Sequence, residues 1–281
     1  MSKSNSPLQA KLHYIMLSSP EPGRLARFYS QVFDMHLRSD GVLWICQHMD
    51  RRLIFCEGAA NTLVAAGYAA AHITVLNSLA TRLSTCLVSP DASDGCFFEP
   101  GAIAFRDPDG NRMVYGLPAG RTELDLSPSR HARLQHAVVG SADVSRMTAF
   151  YTTTVGLEVS DEVRDEQGAP RAAFLRTDQE HHSFAIFRTS RARLDHHCYE
   201  LPDWNGIRDW GDRLAQLRIP VKWGPGRHGP GNNLFLFFQD PDGNWVELSA
   251  ELQRVPNGKA PGIWPHEERT LNTWGNAYLR S

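Results

Sequence analysis

The sequence predicts an α+β protein of two related domains. Three observations predict it: repeated segments, a strand–helix–strand order inside each copy, and an Asp-Pro-Asp-Gly turn late in each copy. The stretch His13-Tyr-Ile-Met-Leu…Arg24-Leu-Ala-Arg-Phe-Tyr29…Phe33-Asp-Met-His-Leu37 mirrors His136-Ala-Val-Val-Gly…Arg146-Met-Thr-Ala-Phe-Tyr151…Val155-Gly-Leu-Glu-Val159, at offsets of 123 residues (136 − 13) and 122 (151 − 29). Downstream, Phe105-Arg-Asp-Pro-Asp-Gly-Asn111 recurs as Phe238-Gln-Asp-Pro-Asp-Gly-Asn244, an offset of 133 (238 − 105), so the second copy carries a few extra residues. Repeats of this kind define the fold before any single element does.

Each copy opens with a short apolar stretch of strand character and continues into an amphipathic stretch ending in Phe-Tyr. It closes with strand, turn and strand. In the turn, Pro fixes φ after the first Asp and Gly supplies a positive φ two residues on, so Leu234 to Phe238 and Asn244 to Leu248 should pair as a hairpin. Glu247 then lies on a strand. In the second half, His197-Cys-Tyr-Glu-Leu201 is strand-like and Trp204 to Leu217 reads as a helix, so that half holds two β-α-β-rich modules. The expected boundaries are an N-terminal domain over 1–120, a linker over 121–133 within the Gly-, Pro-, Ser- and charge-rich stretch Pro118 to Arg133, a C-terminal domain over 134–252 and a tail over 253–281.

Composition excludes several function classes. A chain of 281 residues with 42% hydrophobic and 21% charged residues and a net charge of −2 is globular, and it lacks the basic excess that phosphate contacts to nucleic acid need. No apolar run approaches the length of a membrane span, and the N-terminus has no apolar stretch resembling a signal peptide. The five cysteines, Cys46, Cys56, Cys86, Cys96 and Cys198, form no CxxC pair. That pattern argues against a zinc knuckle or a disulfide framework, and a reducing cytoplasm is expected.

The run Gly224-Pro-Gly-Arg-His228-Gly-Pro-Gly-Asn-Asn-Leu-Phe-Leu-Phe-Phe-Gln-Asp-Pro-Asp-Gly-Asn-Trp-Val-Glu247 resembles the signature of type I extradiol ring-cleaving dioxygenases in the vicinal oxygen chelate (glyoxalase/bleomycin resistance/dioxygenase) superfamily. The tail Trp264-Pro-His-Glu-Glu-Arg-Thr-Leu-Asn-Thr-Trp-Gly275 is similar to that family too, without an assignable chemistry. The resemblance spans roughly the whole chain. It implies tandem βαβββ modules, two per domain, with each domain an open mixed β-barrel and only the C-terminal one binding metal. It implies His136, His197 and Glu247 as ligands of Fe(II), with Mn(II) as the competitor.

Two imidazoles and one carboxylate leave coordination positions open, as non-haem oxygenases require for a catechol and O2. The spacings, 61 residues (197 − 136) and 50 (247 − 197), put the ligands on separate strands. Each one alone reads as a core or edge residue; the set of three with the signature points to a site. His196 could exchange roles with His197, since alternation along a strand lets only one face inward. The N-terminal copy keeps His13 but has Val114 where the second copy has Glu247.

By the same resemblance, His182 is the acid-base histidine, with neighbouring His181 a possible mistaken identity, and His228 contacts substrate oxygen. Phe237 stands where many relatives have a tyrosine hydroxyl. Trp223 and Phe184 are candidate walls of an apolar pocket. The Asp-Pro-Asp-Gly turns and Cys198 read as structural. The implied function is O2-dependent cleavage of an aromatic vicinal diol by a cytoplasmic homo-oligomer, with no nucleic acid or membrane partner. The alternatives are a glyoxalase-, epimerase- or thiol-transferase-like metalloenzyme and a non-catalytic small-molecule-binding protein.

Overall fold

A computed structural model describes residues 8–89, 91, 93–120 and 130–277. Most of the expected linker, 121–129, lies outside them. The first domain runs β1 (Ala10–Ser19), α1 (Pro22–Phe33), β2 (His36–Ser39), β3 (Trp44–His48), β4 (Arg51–Glu57), then β5 (Thr62–Ala70), α2 (Ile73–Arg82), β6 (Leu87–Val88), β7 (Ile103–Arg106) and β8 (Arg112–Gly116). Its strands form one sheet in the order β2-β3-β4-β1-β5-β8-β7-β6. The second domain runs β9 (Arg133–Ser141), α3 (Val144–Phe150) continuing as a π turn over Tyr151–Val155, β10 (Glu158–Arg164), β11 (Pro170–Arg176) and β12 (Phe184–Arg188). Its second module is β13 (Arg193–Glu200), α4 (Trp204–Gln216), β14 (Trp223–Arg227), β15 (Leu234–Gln239) and β16 (Trp245–Ala250). The sheet order is β14-β15-β16-β13-β9-β12-β11-β10-β17, the last strand being Gly262–Pro265 of the tail.

Each domain is thus two βαβββ modules joined antiparallel through their opening strands, β1 with β5 and β9 with β13. Within a module the opening strand pairs parallel with the closing one, as β9 does with β12 and β13 with β16. These parallel pairings need a crossover, which the helix supplies. The expected hairpin forms with Phe237 opposite Glu247, and Gly243 holds φ at 83° in its turn.

Alternation along the strands sorts side chains onto two faces. The helix face of both sheets merges into one apolar core that includes Leu25, Tyr29, Phe33, Ala137, Tyr151, Phe184, Tyr199, Phe238 and Val246. The other face of the second sheet carries Val138, Phe174, Phe187, Trp223, Phe235 and Phe237. The matching face of the first sheet is filled by Tyr14, Ile45, Ile54, Phe97, Phe98 and Val114. His13 lies there too, stacked on Phe98 with ring centroids 5.3 Å apart.

The repeated motifs meet across the domain boundary. Tyr29 Oη donates to Asp240 at 2.8 Å, and Tyr151 Oη donates to Asp107 at 2.9 Å. Arg24 reaches Asp242 at 3.0 Å, and Arg146 reaches Asp109 at 2.6 Å. Each Phe-Tyr helix therefore grips the Asp-Pro-Asp-Gly turn of the other domain. The first Asp of each turn also accepts the backbone N–H groups two and four residues on, which locks the turn. Burial raises the pKa of both Asp107 and Asp240, partly offset by these donors.

Tyr29 has a second partner, His197 Nε2 at 3.1 Å. Because the tyrosine proton goes to Asp240, the hydroxyl oxygen accepts from His197, so the imidazole carries its proton on Nε2 and Nδ1 is bare. Burial of this ring lowers its pKa to about 3. Tyr29→Phe removes a buried bond to a carboxylate and also strands the His197 N–H, whereas Tyr151→Phe removes only the carboxylate bond. Each lost bond is worth about 1.5–3 kcal/mol and a stranded donor about 1–3 kcal/mol more. Urea unfolding should therefore show Tyr29→Phe to be the costlier change; equal costs would refute the His197 bond.

A folded-state pKa near 3 against an unfolded value of about 6.5 means that the unfolded chain takes up the proton first on acidification. The contribution of neutral His197 is complete above about pH 6.5 and is lost as the pH falls toward 3. By pH 5 the loss is on the order of 2 kcal/mol. The metal-free protein should show this slope in its urea midpoint and His197→Gln should show a shallower one; parallel slopes would refute it.

Candidate metal centre and cavity

Three strands build the site because their ladder brings one face together. On β13, Cys198 pairs with His136 and with Glu247, and His196 pairs with Val138 and Trp245. His136, His196 and Glu247 share a face, and one ligand atom from each lies within 4.8 Å of the others. All three are buried. His197 pairs with Ala137 and Val246, both in the interdomain core, so it points away from the cavity. The structure therefore places His196 beside His136 and Glu247, where the family resemblance implies His197. Phe184 is also corrected: it packs on Tyr151 at 4.5 Å in the interdomain core and does not line the cavity.

The hydrogen bonds around the cluster fix where protons can sit. His136 Nδ1 donates to Gln135 Oε1 at 2.5 Å, because the Gln135 amide N–H is spent on the His182 carbonyl (2.7 Å) and on Glu180 (3.1 Å). His196 Nδ1 donates to the Asp195 carboxylate at 2.6 Å. Both Nε2 atoms are then left as bare lone pairs, and they face Glu247 Oε2 at 3.1 and 3.2 Å. Three electron-pair donors cannot converge in a buried pocket without a cation between them, so the residues present fit a divalent metal. Outer partners of this kind orient metal-binding imidazoles and raise their basicity.

The titration directions agree. Although burial alone would raise the Glu247 pKa, the imidazoles of His136, His196 and His228 around it hold it well below the usual carboxylate range. Burial lowers that of His136. For His196 burial also acts downward, but Asp195 and Glu247 outweigh it and the net shift is upward.

The cluster opens onto a cavity lined by Val138, Phe174, His182, Phe187, Trp223, His228, Pro230, Phe237 and Leu271. Trp223 and Phe237 stack with centroids 5.1 Å apart and form an apolar wall of the cavity. His182 and His228 both reach the cavity. The His182 ring lies 4.3 Å from that of His136, and burial holds its pKa well below the ordinary value. His228 Nδ1 donates to the Leu271 carbonyl at 2.5 Å, which turns Nε2 toward Glu247 Oε1 at 3.5 Å.

Sequence reasoning missed Gln135, Asp195 and Leu271. The first two stand immediately before the two histidines, which is the signal that could have found them. Leu271 belongs to the tail whose chemistry the sequence left unassigned. Among its described residues the first domain has no counterpart: the position matching Glu247 is Val114, set among aromatic rings.

Residues 133–248 match the Glyoxalase/Bleomycin resistance protein/Dioxygenase superfamily. The chain is 26% identical over 207 residues to metapyrocatechase 2 of Cupriavidus necator, a match covering 65% of this chain and 63% of that protein, less than two thirds of its length. Its fold is that of homoprotocatechuate 2,3-dioxygenase from Arthrobacter globiformis, with a TM-score of 0.79 at 21% identity over 99% of this chain and 91% of that one. It is equally similar to a Mn(II)-bound glyoxalase from Novosphingobium aromaticivorans, with a TM-score of 0.79 at 22% identity over 96% of this chain and 91% of that one. The second half of the chain is thus matched in sequence by the Glyoxalase/Bleomycin resistance protein/Dioxygenase superfamily, and its whole described length is matched in fold by these structures.

Proposed function

We propose that this protein is an extradiol dioxygenase, opening the aromatic ring of a catechol-type vicinal diol with O2. The observation that carries this reading is the donor set: two bare imidazole nitrogens and one carboxylate at one end of a cavity whose other walls are aromatic and which holds two further histidines. His136, His196 and Glu247 would hold Fe(II), with Mn(II) accepted by the same ligands. When bound, the metal supplies the open coordination positions and the electrons that pair a diol with O2.

The chain's own groups do the rest. Trp223, Phe237, Phe174 and Phe187 exclude water and take the faces of an aromatic ring. His182, whose buried ring stays neutral at physiological pH, is suited to accept a proton from a diol hydroxyl. His228 presents Nε2 to the same space. Phe237 cannot donate a hydrogen bond, so orientation of the substrate oxygens falls to the histidines, and this narrows the range of diols that bind productively. A glyoxalase-type reaction in this fold usually engages a fourth protein donor, whereas the cluster among the described residues has three.

Free thiols at all five cysteines support a reducing cytoplasm. No helix among the described residues is long and apolar enough to cross a membrane. A homo-oligomer is the assembly we expect.

Iron content after gel filtration tests the ligand set. His196→Ala and Glu247→Ala should lose iron, while His197→Gln should keep it at reduced stability; loss of iron from His197→Gln with retention in His196→Ala would reverse the assignment. Anaerobic reconstitution with Fe(II), followed by O2 uptake on a broad catechol panel, should give a coloured ring-fission product with at least one member, and none would sink the dioxygenase reading. His182→Phe should hold iron yet slow turnover by roughly 10²–10⁴-fold, as loss of a positioned proton acceptor does.

A further inference from the structure

A line of three side chains runs from the cavity to the tail. His182 lines the cavity and its Nδ1 lies 3.0 Å from Nδ1 of His181. Nε2 of His181 lies 2.9 Å from Oδ2 of Asp161 on β10. Asp161 is in turn held by β17, accepting from the Gly262 backbone N–H at 3.0 Å and from the Trp264 indole N–H at 2.9 Å. The two strands pair in register, Asp161 opposite Gly262. His181 is 1% exposed, and its backbone N–H is fixed to the Gln253 carbonyl at 2.9 Å.

This line dictates proton positions one after another. A carboxylate that already accepts from two N–H groups stays ionised and can only accept. His181 must then donate from Nε2, and in its neutral form its Nδ1 can only accept. The hydrogen between the two Nδ1 atoms therefore belongs to His182. Its Nε2 is left bare, with no protein partner among the described residues, as the ring's polar atom for the cavity.

We propose that Asp161 and His181, locked by the tail strand, are positioning residues that hold His182 as the Nδ1–H tautomer with a proton-accepting Nε2 toward the substrate. The proposal rests on the extradiol reading for what the substrate is, though not for the tautomer. The tail thereby gains a role, because β17 supplies both donors that keep Asp161 aimed at His181. The logic is that of a buried carboxylate orienting a catalytic imidazole, in which replacement by the amide inverts the tautomer without disturbing the shape of the site.

The test uses the full chain labelled with ¹⁵N-histidine and free of metal. Long-range ¹H–¹⁵N spectra, assigned by the signal that disappears in His182→Phe, should show His182 protonated at Nδ1 and bare at Nε2. In Asp161→Asn the neutral amide no longer pins the His181 proton on Nε2 as a carboxylate does, and the His182 signal should gain an Nε2–H component. With Fe(II) loaded and a catechol that the wild type turns over, Asp161→Asn should lower kcat roughly 10- to 100-fold while KM stays within about threefold. Trp264→Phe, which removes one donor from Asp161 and spares the cavity, should populate both tautomers and lower kcat less; it carries the test if Asp161→Asn unfolds on a thermal melt. An Nε2–H tautomer in the wild type, or a spectrum unmoved in the variants, overturns the proposal. Failure of the wild type on every catechol overturns the extradiol reading, while the spectra still decide the tautomer.

Discussion

The ladder that holds β13 between β9 and β16 sets His196 opposite Val138 and Trp245, and His197 opposite Ala137 and Val246. Side chains alternate along a strand, so a slip of one residue would exchange the two histidines and send the whole set to the wrong face. In this register one histidine closes the donor triangle with His136 and Glu247. The other turns to the opposite face and takes the hydroxyl of Tyr29, from the other domain. The site and the domain contact are thus fixed by one strand and cannot be tuned independently.

Burying Glu247 among His136, His196 and His228 is costly unless every lone pair meets a proton or a cation. The surrounding groups remove most of the freedom to relax: Gln135 and Asp195 take the outer nitrogens of the two ladder histidines, and Leu271 takes that of His228. A metal is the arrangement that satisfies all three inner donors at once. The first domain solves the same packing problem on the same scaffold by removing the donors. With Val114 in place of the carboxylate and the rings of Tyr14, Phe97 and Phe98 beside it, that face is filled by aromatic side chains and needs no cation.

The α+β class, the duplication and the hairpin at Asp-Pro-Asp-Gly were legible in the sequence, because each depends on local order or on a repeat, whereas His136 and Glu247 were singled out as ligands only through the family resemblance. The phase of β13 was not. Alternation states that His196 and His197 face opposite ways, but which one faces inward is decided by the bulge between Leu194 and His196 and by the partner strands. Phe184 failed for the same reason, being one residue out of phase with the cavity face. The partners of Tyr29 and Tyr151 were also hidden: the Phe-Tyr and Asp-Pro-Asp-Gly motifs stood out as repeats, yet nothing along the chain says that a helix in one copy binds a turn in the other, 211 residues away for Tyr29 and Asp240. The tail was visible only as a resemblance, since its roles are hydrogen bonds to Asp161 and His228 made by backbone and indole groups.

The duplication has been used asymmetrically in chemistry and symmetrically in assembly. Each helix grips the turn of the other domain, so neither domain presents a finished surface without the other. The N-terminal copy, which holds no equivalent donor set among its described residues, still reaches the metal strand, because Tyr29 binds the residue next to His196. A change in how the domains meet is then felt as a change in the torsion of β13, one residue from a donor nitrogen. A ligand cluster tolerates little displacement, since binding geometry must be held to within about half an ångström. That gives a physical reason for a chain to keep a domain without a metal site: the first domain acts as the far wall against which the metal-bearing strand is braced.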